Sequence, residues 1–200
     1  MSRNNFILIF CFLIIGLPVF AQQNYQQFYN ESLQNMNKGM YVLGSWAVVN
    51  IAVGAYGMST QSGSTKYFHQ MNLFWNTVNL GIAGFALINN SNPDVSLLSE
   101  QQMMQKHFNS EKLFLINAGL DLLYISGGAF MINRSKGNVK RPELLKGYGQ
   151  SIILQGSFLL VFDAIMWGVQ RNHRLAFMEN LDISFNHINK VSELSLVYTF

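Results

Sequence analysis

Charge is missing over long distances in this chain. No Asp, Glu, Lys or Arg lies between Lys38 and Lys66, nor between Lys66 and Asp94. Between Lys112 and Arg134 the one exception is Asp121, and between Lys146 and Arg171 it is Asp163. A helix needs about 20 mainly apolar residues to cross the hydrocarbon core of a bilayer, and each of the four windows is long enough. The sequence therefore predicts an all-α fold, a four-helix transmembrane bundle with spans over residues 39–58, 67–88, 113–132 and 148–169.

The residues before the first span have a different character. Arg3 is followed by the apolar run Phe6 to Leu17, and Val19 and Ala21 occupy the third-last and last places before a cut. This pattern describes a cleavable N-terminal signal peptide over residues 1–21, with Gln22 as the mature start. An uncleaved signal anchor is the competing reading, and it places the following segment on the same side. Cys11, the one cysteine, lies inside this signal, so a mature chain has no thiol for disulfides, thiol catalysis or thiolate metal ligands. Residues 22–38 are polar and rich in Gln and Asn, a short extracytoplasmic lead-in.

The net charge of +3 is concentrated in the segment Asn133–Gly147, which holds Arg134, Lys136, Lys140, Arg141 and Lys146. A short loop of this kind marks the cytoplasmic side of a membrane protein and is no sign of nucleic-acid binding. An outside start and four crossings then give a multi-pass protein of the bacterial inner membrane with mature N- and C-termini extracytoplasmic.

Two further segments carry a pattern. After the break at Asn89–Pro93, Val95 to Phe108 reads as an amphipathic helix on the outer membrane boundary. Residues 170–200 form a short extracytoplasmic tail. Leu194, Leu196, Tyr198 and Phe200 alternate there like a strand, with Leu181 to Phe185 the candidate partner in a β-hairpin.

Polar residues inside the spans are the lead to chemistry. In the second span His69, Asn72, Asn76 and Asn79 follow each other by three, four and three residues, which keeps them on one helix face. Asn117, Asp121 and Tyr124 share a face of the third span, Gln155 and Asp163 a stripe of the fourth, and Asn50 a stripe of the first. Asn50, Asn79, Asp121 and Asp163 lie at matched depths, about 9–15 Å from the outer ends, so a bundle is expected to bring them together. An aspartate at that depth costs about 2.5–3.5 kcal/mol on insertion scales. No Lys or Arg occurs in any span, so its partner is an amide, a hydroxyl, water, a proton or a bound ion.

Two functions follow. In the first, the polar residues are interhelical glue in a non-enzymatic scaffold or accessory protein. In the alternative, a small channel or transporter subunit binds a cation, proton or small polar ligand through Asp121 and Asp163. The tentative binding set is Asn50, Asn79, Asn117, Asp121 and Asp163, with His69, Asn72, Asn76, Tyr124 and Gln155 in support. Neither a catalytic constellation nor a metal site is expected, and no cofactor. His69 and His107 fall near opposite membrane faces, and His173 and His187 lie in the tail without a carboxylate cluster. The lipid bilayer is the expected partner, with a second membrane protein or a second copy as further partners.

The signal peptide, the run Phe-His-Gln-Met-Asn-Leu-Phe-Trp-Asn-Thr-Val-Asn over residues 68–79, Asn117-Ala-Gly-Leu-Asp121 with Tyr124, and Leu-Leu-Val-Phe-Asp163 together resemble an uncharacterised family of small bacterial four-helix integral membrane proteins. The resemblance covers most of the mature chain. It implies the four-helix architecture and assigns no catalytic role to any residue.

Overall fold

The structure is a computed structural model that describes the backbone at residues 3–91 and 93–189, and the side chains from Asn24 to Glu179 apart from Asn92. Four helices account for nearly all of it: α1 (Arg3–Thr60), α2 (Gly63–Ser91), α3 (Glu100–Arg134) and α4 (Pro142–Asn189). No strand occurs among the described residues. Within them, Asn24–Thr60, α2, α3 and Pro142–Glu179 are each long and apolar enough to cross a membrane.

Local chemistry explains where the helices stop. Gly63, with φ of 57°, turns the chain between α1 and α2 in a conformation that a side chain would strain. The break after α2 contains Pro93 and a single 3-10 turn, Val95–Leu97. Ser99 then starts α3 with a capping box. Its hydroxyl accepts from the Gln102 N–H at 3.3 Å, and Gln102 Oε1 accepts from the Ser99 N–H at 2.9 Å. Pro142 opens α4 at the first helical position, where its missing N–H has no consequence.

Two expectations are corrected, for Val95–Phe108 and for the β-hairpin. Val95–Phe108 is not a separate interfacial helix, because α3 begins at Glu100 and runs unbroken to Arg134. The lead-in over 22–38 and the signal-like segment from Arg3 share one backbone helix with the first span. Leu181–Phe185 belongs to α4 and is no strand, so the β-hairpin lacks its first arm; its second, Leu194–Phe200, lies outside the described residues. Length accounts for these differences. The 37 residues Asn24–Thr60 make a helix of about 55 Å at 1.5 Å per residue, against a hydrocarbon core of about 30 Å. At the end where α2 joins α3, helices α1, α3 and α4 overshoot and pack together beyond the charged residues Lys38, Lys112 and Arg171.

The bundle is two helical hairpins, α1 with α2 and α3 with α4, joined chiefly through α2 against α4. Apolar side chains cover the outside: Val49, Val53, Val78, Ile82, Phe85, Leu122, Leu123, Phe130 and Ile165 are all exposed. Asn50, Asn72, Asn76, Asp121, Gln155 and Asp163 are buried. That distribution is inverted relative to a protein surrounded by water and suits hydrocarbon. An apolar cluster of Met40, Leu43, Ala83, Phe114, Phe162 and Met166 fills the interior towards the α2–α3 end.

At the basic-loop end the helices cross on glycines. A Cβ at Gly128 would lie 2.7 Å from the Gly149 carbonyl oxygen, and one at Gly149 would lie 2.6 Å from that of Gly128. Gly54 meets the His69 carbonyl oxygen in the same way at 2.9 Å. Gly127, by contrast, has nothing within 4 Å. Gly128→Ala is therefore expected to destabilise the bundle by about 1–3 kcal/mol through overpacking. Gly127→Ala should be neutral or stabilising by up to about 1 kcal/mol, since it only removes backbone freedom. Thermal unfolding in detergent checks the pair; equal effects would show that α3 and α4 do not cross at Gly128.

Candidate functional site

The buried amides form a closed circuit through three helices. Asn50 Nδ2 donates to the Trp46 carbonyl at 2.9 Å within α1. Trp46 Nε1 donates to Gln155 Oε1 on α4 at 3.0 Å, and Gln155 Nε2 donates to Asn72 Oδ1 on α2. Asn72 Nδ2 returns to Asn50, bonding its carbonyl at 3.1 Å and its Oδ1 at 3.0 Å. Asn76 Nδ2 adds a bond to the Asn72 carbonyl at 2.8 Å. The Trp46 ring stacks on Phe158 with centroids 4.0 Å apart, which fixes the direction of its N–H. Asn72 is the hub, because both of its amide groups are committed. This circuit joins the two hairpins in the interior.

About two turns further along α4, Asp163 faces Asp121 of α3. The two carboxyls are neighbours, and the Asn117 side chain lies beside Asp163. They are 2% and 5% exposed and stand at the base of a cavity of about 530 Å³. Asn79 shares that cavity from α2, as do Trp75 and Tyr124. The cavity exists because α2 and α3 scarcely approach each other. Their rims touch where the Trp75 and Tyr124 rings meet edge to face, with centroids 5.0 Å apart. Most of the lining is apolar, including Met40, Phe74, Val78, Ile82, Leu120 and Phe162.

The sequence expectation of one convergent cluster thus separates into two groups. Asn50, Asn72, Asn76 and Gln155 belong to the hydrogen-bonded circuit. Asn79, Asn117, Asp121 and Asp163 line the cavity. Tyr124 is 41% exposed and stands at the cavity rim. His69 belongs to neither group: its ring lies where a Cβ at Gly57 would fall, close to the basic loop, and its Nδ1 is buried without a partner. Among the described residues no group of three or more His, Cys, Asp or Glu side chains could hold a metal.

A second polar centre, which the sequence pattern did not reveal, lies at the α2–α3 end, past Lys38, Lys112 and Arg171. His107 is fully buried between α1 and α4. Its Nε2–H donates to the Gln170 carbonyl at 3.1 Å, so Nδ1 accepts from the Ser32 hydroxyl at 2.7 Å. Gln170 Nε2 closes the group on the Ser32 carbonyl at 3.2 Å. Beside it Arg174 meets both oxygens of Glu111, at 2.8 and 3.1 Å, and Phe28 stacks between His173 and Phe177. The missed signal was helical spacing that runs on past the spans: Met103, His107, Glu111 and Phe114 on α3, and Met166, Gln170, His173 and Phe177 on α4.

Comparison with known proteins agrees with this architecture. Residues 42–164, more than half of the chain, with every residue of the circuit and all the polar residues of the cavity, match a family of unknown function, DUF6992. The chain belongs to this family. The family brings no assigned chemistry to the site, so the reading of the site rests on its geometry. No curated protein and no solved structure matches the chain.

Two outcomes are expected from these centres. Asn72→Ala removes the hub of the circuit and leaves the amides of Gln155 and Asn50 short of partners. It should destabilise the bundle by about 1–3 kcal/mol, and the double variant Asn72→Ala/Gln155→Ala should cost less than the sum of the two single changes. The second concerns pH. Burial pushes the His107 imidazole down to about 4, partly offset by its bond to Gln170; His173 and Arg174 also lower it and Glu111 raises it. Folding favours the neutral ring. Its contribution is complete above about pH 6.5, weakens as pH falls below that value, and is lost once pH drops below about 4. Unfolding temperature should fall between pH 7 and 5 in the parent and fall less in His107→Gln.

Proposed function

We propose that this protein is a non-enzymatic accessory protein of the inner membrane that binds a membrane-soluble ligand in the cavity between α2 and α3. One observation carries this reading: a mainly apolar cavity of about 530 Å³, with two carboxyls at its base. That volume falls within the range of about 300–1,000 Å³ usual for small-molecule sites. The surrounding α2 and α3 side chains Val78, Ile82 and Leu120 are exposed, so the cavity is reached from the hydrocarbon side. No Lys or Arg lies in any span, so the two carboxyls have no cationic side chain to pair with there. A cation or small polar ligand crossing along the bundle axis is disfavoured, because the Asn72 circuit and the glycine crossings occupy that axis. The interior amides neither ionise nor act as nucleophiles, which favours binding over catalysis.

The same reading includes a cleavable signal over residues 1–21, a cytoplasmic loop at Asn133–Gly147 and extracytoplasmic mature termini. It is supported by the basic loop and the signal-like N-terminus. Reporter fusions at Gly137 and after Phe200 should report opposite compartments, and the same compartment for both would end this topology.

Ala86 lines the cavity away from the carboxyls, and Ala86→Phe fills part of it. Native mass spectrometry of protein released from membranes should show a bound small molecule on the parent and none on this variant. A parent without any adduct would reject the binding reading.

A further inference from the structure

Two buried polar atoms on the cavity wall have no partner among the described residues. Asp121 Oδ2 is an acceptor and Asn79 Nδ2 a donor, and both residues line the cavity at 2% and 5% exposure. An unpaired buried polar group carries a desolvation penalty of about 1–3 kcal/mol, and lipid chains offer nothing to relieve it. Three other buried atoms lack a partner, His69 Nδ1, Asn76 Oδ1 and Ser151 Oγ, and none of their residues lines the cavity. Among the described residues, Asp121 Oδ2 and Asn79 Nδ2 are the unpartnered buried atoms whose residues adjoin open space.

We infer that the cavity takes a neutral, single-chain amphiphile whose polar end is a hydroxyl, donating to Asp121 Oδ2 and accepting from Asn79 Nδ2. This rests on the binding reading above and specifies its ligand. The walls select the chain: Phe74, Val78, Ile82, Leu120 and Phe162 offer dispersion contacts and no further hydrogen bond. The base selects the polar end by elimination. An ammonium group has donors for the carboxyl but nothing for the Asn79 N–H to bond. A carboxylate has acceptors for Asn79 but no donor for Asp121, and it would bring a third carboxyl to Asp121 and Asp163. A hydroxyl supplies one donor and two acceptor positions, so a single group carries both functions that the two orphans require. It also needs no counter-charge, which suits a site without a Lys or Arg.

Trp75 supplies the measurement, since it lines the cavity while Trp46 stacks on Phe158 and Trp167 lies under Arg171. The full chain in phosphatidylcholine nanodiscs is titrated with three chain-matched probes that carry bromine, a contact quencher: a long-chain primary alcohol, the parent alkane and the primary amine. The expected result is saturable Trp quenching by the alcohol, at least about tenfold tighter than by either comparator. Asn79→Leu should weaken the alcohol by about tenfold and leave the alkane unchanged. The comparison among the three probes needs no variant, so a misfolded Asn79→Leu would not obscure it. Equal saturable quenching by alcohol and alkane would show that the orphans are met by water, and would overturn the hydroxyl assignment while leaving the cavity a binding site. Tighter quenching by the amine would overturn it in favour of charge pairing with Asp121. Only linear, unsaturable quenching by all three would remove the binding reading itself.

Discussion

A bilayer offers no water to a buried amide, so every polar group inside a membrane bundle has to be met by another group of the same bundle. Asn72 shows what this requires. Its carboxamide receives Gln155 from α4 and holds Asn50 of α1, while Trp46 closes the circuit back to Gln155. The two hairpins could slide or rotate against each other if only apolar surfaces joined them, because hydrocarbon side chains contact lipid about as favourably as they contact each other. The circuit removes that freedom. It sets the register of α2 against α4, and with it the positions of all residues further along those helices.

The remaining architecture follows from this anchor. Glycine crossings at Gly54, Gly128 and Gly149 bring the backbones close at the basic-loop end. Bulky side chains at Met40, Phe114 and Phe162 occupy the other half. With the register of α2 and α4 set, α1 lies on α2 and α3 lies on α4, and α2 and α3 are left apart. The cavity is the consequence of that separation. Asp121 and Asp163 meet at its base because each lies on the interior stripe of its helix.

Past Lys38, Lys112 and Arg171 the helices α1, α3 and α4 continue as a second packed layer. Its core mixes apolar groups, Phe28, Leu33 and Met103, with the Ser32–His107–Gln170 group. Glu111 and Arg174 form a two-pronged ion pair at its edge. A pair of this geometry is stronger than a single-contact surface pair, and it ties α3 to α4 where both leave the hydrocarbon. Packing outside the membrane therefore holds the outer ends of α1, α3 and α4 together, while α2 ends earlier at Ser91.

Much of this was legible in the residues. Uncharged windows imply spanning helices because charge is expensive in hydrocarbon, and residues three and four apart share a face whatever the fold. The interior placement of Asn50, Asn72, Asn79, Asp121, Gln155 and Asp163 follows from those two facts. The family match over residues 42–164 covers the same region. Helix ends beyond the membrane were less legible, since hydropathy reports the solvent around a helix and not its continuation. For that reason α3 was expected in two pieces, and the end of α4 was expected as a strand. The partition of the polar stripe was not legible at all. Whether Asn50 meets Asn72 or Asp163 depends on which helices touch and in what register, and stripes on separate helices carry no information about rotation between them. Sequence alone thus determined that polar groups face inward. Tertiary packing decided which of them satisfy one another, and which, at Asn79 and Asp121, are left facing a cavity.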